Sequence, residues 1–142
     1  MDETAPVLRD TLLIDDLRVF RQRDVPVTVA RTSISGIQVL RTAHSAGHRW
    51  AQIWLDHDLG DATGANDHIG PVVDWLYQQA LAGTPVAVDA IVVHTTNVAG
   101  GDSMVRVLHR AGYRVQRLVA SDYLDVDERL YTDALRRGEP EH

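Results

Sequence analysis

Lysine is missing from this chain of 142 residues, and all 14 of its fixed cations are arginines. Genomic composition is the simplest cause, yet the chemical consequence holds regardless: neither a Schiff base nor a lysine clamp on a phosphate can form. Cysteine is missing too, which removes disulfides, thiolate metal ligands and a cysteine nucleophile together. No stretch approaches the ~18 uninterrupted apolar residues of a membrane span. The opening MDETAPVLRD is acidic and lacks a basic-then-apolar run, so no secretory signal is expected and the cytoplasm is the expected compartment. A net charge of −6 argues against broad nucleic-acid binding, which requires several phosphates to be neutralised. It leaves room for a local site in which a few arginines meet one phosphate.

What is present reads as one α/β domain, of a length that buries roughly two-thirds of its unfolded surface. Residues 1–10 form a lead-in, 11–136 the domain and 137–142 a tail. Five apolar runs predict strands: Thr11–Asp15, Val27–Ala30, Ala51–Leu55, Asp89–Val93 and Tyr113–Val119. Between them, three segments carry apolar residues at helical spacing. The first follows a cap at Ser33 or Ser35 and stops at Gly47; the second opens on Pro71 and closes near Gly83; the third follows Gly100 and Gly101 and stops at Gly112. Ser121–His142 is expected to add one more amphipathic helix around Leu130 and Leu135. Alternating strands and helices predict a mostly parallel sheet covered on both faces. The segment Asp16–Pro26 breaks the alternation, because it is polar and shows no convincing helix. Trp50, Trp54 and Trp75 fall where core packing is expected.

Ligands of an open parallel sheet sit beyond the carboxyl ends of the strands, where strand order reverses. With the order 2-1-3-4-5, that place lies between the first and third strands. Those strands end in Asp15–Asp16 and in Asp56–His57–Asp58, with His94–Thr95 at the end of the fourth. An acidic pair alone would read as a strand terminator that caps the next turn. Acids at two neighbouring strand ends repel one another unless protons or a cation intervene. An all-oxygen set of Asp15, Asp16, Asp56 and Asp58 suits Mg²⁺ or Mn²⁺. Imidazoles titrate near neutrality, so His57 and His94 are the proton-transfer candidates. Arg18 can pair with a phosphate or with the acids beside it. Asn97 and Gly100 open a helix, a natural seat for phosphate. His44, His48, His68, His109 and His142 read as surface residues, His68 alone lying on a loop able to overhang the site.

The placing of Asp15, Asp16, Asp56 and Thr95 resembles the receiver domains of two-component signalling. Closer still, IDDLR at Ile14–Arg18, LDHDLG at Leu55–Gly60 and VHTTNVAGGDSM at Val93–Met104 are similar to the cyclic-phosphate processing receiver family, over residues 11 to about 120. The resemblance implies a single receiver-like, flavodoxin-like three-layer domain with its first helix shortened or missing. It also implies Asp56 as phosphoacceptor, nucleophile or metal ligand. The lysine that receivers place after the fifth strand has no counterpart here, with Arg117 or Arg114 the available substitutes.

Two classes of function stay open. One is a metal-assisted phosphoesterase: the spacing itself points to a phosphate and a divalent metal, and the resemblance implies a cyclic phosphate, at an RNA end or on a nucleotide, as the substrate. Its catalytic residues would be Asp56, His57 and His94, and its phosphate-binding residues Arg18, Thr95, Asn97 and Gly100. The other is a non-catalytic phosphate-binding or signalling module. Either allows a homo-oligomer, and neither calls for a membrane.

Overall fold

The structure, a computed structural model, describes residues 10–22, 26–60 and 67–128. The lead-in before Asp10, the tail and the expected helix around Leu130 and Leu135 lie outside the described residues. Strands β1 (Thr11–Ile14), β3 (Thr28–Ala30), β4 (Trp50–Leu55), β5 (Val88–Val93) and β6 (Val115–Arg117) form a five-stranded sheet of order β3-β1-β4-β5-β6. All its pairings are parallel. This is the expected order 2-1-3-4-5, counted on the strands of the sheet alone. A separate antiparallel ribbon joins β2 (Arg18–Phe20) to β7 (Leu124–Val126).

Alternation along the strands divides the core in two. Leu12, Ile14, Ile53, Leu55, Ile91 and Val93 face α1 (Ser33–Ser45), α2 (Gly70–Leu81) and α3 (Val98–Arg110), meeting Leu40, Leu76 and Leu108. Leu13, Trp54 and Val92 point the other way, onto Phe20, Ala120 and Leu124. Among the described residues, then, all three helices lie on one face, and the ribbon with a short 3₁₀ turn at Ala120–Asp122 covers the other. This corrects two expectations. Ser121–Val126 is turn and strand rather than helix, because Leu124 and the partly buried Tyr123 are needed against Trp54. The segment after β1, which lacks a helix as expected, is not a bare connection either. Phe20 meets Trp54 edge-on at 4.9 Å and fills the place that a helix would cover.

The helix boundaries follow local chemistry. Thr32, rather than Ser33 or Ser35, caps α1: its hydroxyl accepts from Ser35 N, and Ser35 Oγ returns a bond to Thr32 N. Such a capping box satisfies two amides that the first turn leaves without partners. Pro71 stands in the first turn of α2, where its missing N–H costs nothing.

Candidate active site

Asp15 and Asp56 follow paired strand ends, since Ile14 lies beside Leu55 in the sheet and Asp56 N donates to Ile14 O. Together with Asp16 they bring one carboxylate oxygen each to within 4.8 Å of one another. Asp15 and Asp56 are buried and Asp16 partly so. Asp15 uses one oxygen structurally: Oδ1 accepts from Leu17 N at 2.8 Å and Arg18 N at 2.9 Å, turning the chain into β2. Its other oxygen, Oδ2, is buried with no hydrogen-bond partner. Such an orphaned acceptor is rare in a folded protein and marks a place where a further group fits.

Crowding shows in the electrostatics. Burial, and next the charge of Asp15, push the Asp56 carboxyl up to about 7, although Arg18 and a hydrogen bond from Thr95 oppose the rise. Burial and then Asp15 raise Asp16 as well. Without a cation, the three acids do not all ionise at neutral pH. The donor set is all oxygen, compact and partly orphaned, and it fits a hard divalent ion.

Arg18 Nη1 lies 3.5 Å from Asp15 Oδ2 and 3.5 Å from Asp56 Oδ2. It starts β2, so the ribbon that replaces the helix also delivers a cation to the acids. Two residues not foreseen from the sequence hold that ribbon in place. Arg31 donates to the carbonyls of Asp15 and Arg18 and to the buried Asp127 carboxylate, the last at 2.9 Å. Nothing in their spacing, 96 residues apart, signals the pair. Gly60 is the third omission. It has a φ of +74°, and a Cβ there would run into Asp16 Oδ2, so the glycine of LDHDLG makes room for the acid.

The remaining candidates divide. Thr95 accepts from Asn97 N at 3.1 Å and hydrogen-bonds Asp56. Asn97 caps α3, its Oδ1 accepting from Gly100 N at 2.8 Å. The Gly100 amide is therefore committed to the cap instead of facing a phosphate. What Gly100 supplies is space: a Cβ there would stand 2.7 Å from His57 Nε2. His57 Nδ1 lies 3.0 Å from Asp58 Oδ1 and 3.4 Å from Asn97 Nδ2. A carboxylate only accepts, so the shorter contact decides, and the proton belongs on Nδ1. Asp58 is correspondingly exposed and turned to His57, and does not join the acid group.

His94 lies beneath the site. Its side chain has no solvent exposure, neither ring nitrogen has a hydrogen-bond partner, and Nδ1 is 3.7 Å from Asp15 Oδ2. Burial, outweighing the pull of Asp15, lowers its pKa to about 4, so the ring is neutral. Direct proton exchange with a substrate, expected from the sequence, does not suit this position. Arg117 is tied to Asp102 over the first turn of α3, and Arg114 is exposed. The cation beside the acids is Arg18.

A parallel sheet in this order, with an acidic trio at its reversal point and a threonine hydroxyl on the middle acid, defines a receiver-type domain. The model of the cyclic-phosphate processing receiver domain matches residues 11–110, and the chain belongs to that family. No curated protein and no solved structure matches it. Among the described residues, no helix is long and apolar enough to cross a membrane.

Proposed function

We propose that this domain is a metal-assisted phosphoesterase that opens a cyclic phosphodiester, at an RNA end or on a nucleotide. The observation that carries the reading is the buried Asp15 Oδ2, which receives no hydrogen bond, beside the Asp16 and Asp56 carboxylates, within a chain of a cyclic-phosphate processing family. Asp15, Asp16 and Asp56 would hold Mg²⁺ or Mn²⁺. When bound, such an ion would offset two of the trio's three charges and polarise a phosphoryl oxygen.

The protein groups have separable tasks. Arg18, held less tightly by the acids once an ion offsets most of their charge, pairs with a phosphate oxygen. Thr95 fixes Asp56, and Asn97 holds the start of α3. Asp58 fixes the His57 tautomer, leaving the Nε2 lone pair to take a proton from water. His94, shut away from solvent, supports Asp15 from below.

The test is a small panel of cyclic phosphodiesters, including a 2′,3′-cyclic phosphate on RNA and on a mononucleotide, with and without Mg²⁺ or Mn²⁺. Ring opening that requires added metal is expected. Tight binding of a cyclic phosphate without turnover would move the domain to the class of binding modules.

A further inference from the structure

The chain that leaves the acids forms a short frame with a later segment. Gly60 sits so close to Asp16 Oδ2 that a Cβ there would strike it, and Asp67 N donates to Gly60 O at 2.9 Å. Leu59 N donates to Asp67 O at 3.0 Å and Ile69 N to His57 O at 2.9 Å. Asp58 and His68 face each other as an antiparallel bridge. The Asp67 carboxylate accepts from Ser33 N at 2.8 Å and Ser33 Oγ at 2.6 Å, tying the frame to α1. Leu59 and Ile69 are buried. On this anchored frame, which borders the acids at Gly60, the ring of His68 stands exposed.

The ring is also oriented. Its Nδ1 accepts from Gly70 N at 3.0 Å, and Gly70 leaves it room, since a Cβ there would stand 2.7 Å from that nitrogen. It lies 26° from parallel to the ring of His57, with centroids 6.5 Å apart. Aromatic rings stack with an offset at centroid separations of about 4.5–7 Å. The bond from Gly70 further decides what the ring can offer. With Nδ1 an acceptor, the proton sits on Nε2 and the imidazole is neutral. A neutral imidazole brings no charge to a phosphate and gives up no proton to a leaving group. What it offers is a flat π face, next in line after the ring of His57.

We propose that His68 is a specificity-determining residue: its ring holds, by stacking, the base of a nucleoside cyclic phosphate whose phosphate lies at the acid trio. The inference rests on the phosphoesterase reading and narrows it, from any cyclic phosphodiester to one that carries a nucleobase. Every base has a π face, so a stacking ring selects for a base without choosing among bases. The ring touches no reacting atom. Its hold is therefore the same in the ground state and the transition state, and its loss falls on KM rather than on kcat.

The test compares a 2′,3′-cyclic mononucleotide, a dinucleotide ending in the same group, and glycerol 1,2-cyclic phosphate, which has the reacting ring and no base. His68→Ala should raise KM on both nucleotides by roughly tenfold, the scale of one lost base–aromatic stack. It should leave kcat in place and spare the glycerol ester. His68→Phe keeps a flat ring and should keep the wild-type KM, whereas His68→Leu should behave like His68→Ala. Gly70→Ala, whose methyl would push the ring aside, should raise KM in the same selective way. The lower of the two wild-type nucleotide KM values separates a free nucleotide from an RNA end as the source of the base. Melting temperatures of the variants check the fold. With wild type active, an unchanged KM in His68→Ala, a loss shared by the glycerol ester, or a raised KM in His68→Phe overturns the role of His68 alone. A wild type that opens none of the three substrates overturns this inference and the phosphoesterase reading together.

Discussion

Arg18 reaches Asp56 at 3.5 Å across 38 residues of sequence, and it does so from a strand that stands where a helix would begin. The ribbon therefore does two jobs at once. Phe20 covers Trp54 on the ribbon-bearing face of the sheet, and Arg18 sets a positive charge against acids that would otherwise repel one another.

Removing that charge should be visible at Asp56. In metal-free protein, Arg18→Ala is expected to raise the Asp56 carboxyl further above its present value of about 7, since Arg18 is the largest influence holding it down. A carbon-13 titration of the side-chain carboxyl reads this directly. A midpoint that does not move would remove Arg18 from the acid cluster.

Stability against pH follows from the same carboxyl. Asp56 holds its proton up to about pH 7 when folded but loses it near 3.8 when unfolded. Between those values the folded chain binds the extra proton, so its stability falls as pH rises. Relative to Asp56→Asn, the metal-free wild type should lose at most about 4 kcal/mol over this window. His94, lowered from 6.5 to about 4, acts in the opposite sense, adding stability as pH rises. The difference between wild type and Asp56→Asn in denaturant unfolding, measured at several pH values, isolates the aspartate. A wild type that gains stability relative to Asp56→Asn as pH rises through this window would contradict the assignment.

Binding of a divalent ion should relieve the crowding. Millimolar Mg²⁺ or Mn²⁺ is expected to raise the melting temperature, by a stabilisation of about 2.7 kcal/mol where the ion is at 100 times its dissociation constant. Asp56→Asn should blunt the rise. Gly60→Ala should blunt it too, because its side chain would displace Asp16. A wild-type melt indifferent to the ion would leave the acid trio without a ligand.

Gly100→Ala separates the imidazole from the acids. The added methyl would stand 2.7 Å from His57 Nε2, so the ring must move while the carboxylates stay. Turnover should fall by about 10²-fold, the scale of a lost proton-transfer group, with the metal-induced rise in melting temperature retained. Wild-type turnover in this variant would exclude His57 as the base.

The sheet and the acids were legible in the sequence for a simple reason: their signals are local. Apolar runs, helical spacing and glycine stops place the strands and helices, and topology brings Asp15 and Asp56 together once the strand order is assumed. The ribbon was not legible. Its strands have three residues each and pair Arg18 with Val126 across the length of the domain, so neither carries a period that could be read alone. Arg31 and Asp127 escaped for the same reason. The roles of the histidines depended on depth: the run of residues at a strand end does not say that His94 is sealed beneath Asp15, or that His68 returns to meet His57.

Phosphorus NMR of a 2′,3′-cyclic mononucleotide, incubated with wild type and Asp56→Asn in Mg²⁺ or Mn²⁺, tests the central claim most directly. Wild type should convert the cyclic resonance to that of a phosphomonoester, and should stop doing so when the ion is chelated. Asp56→Asn, still folded by its melt, should leave the cyclic resonance nearly untouched. A resonance that persists with wild type and ion present, or that disappears equally fast with the variant, would contradict metal-assisted opening of a cyclic phosphate at this acidic trio.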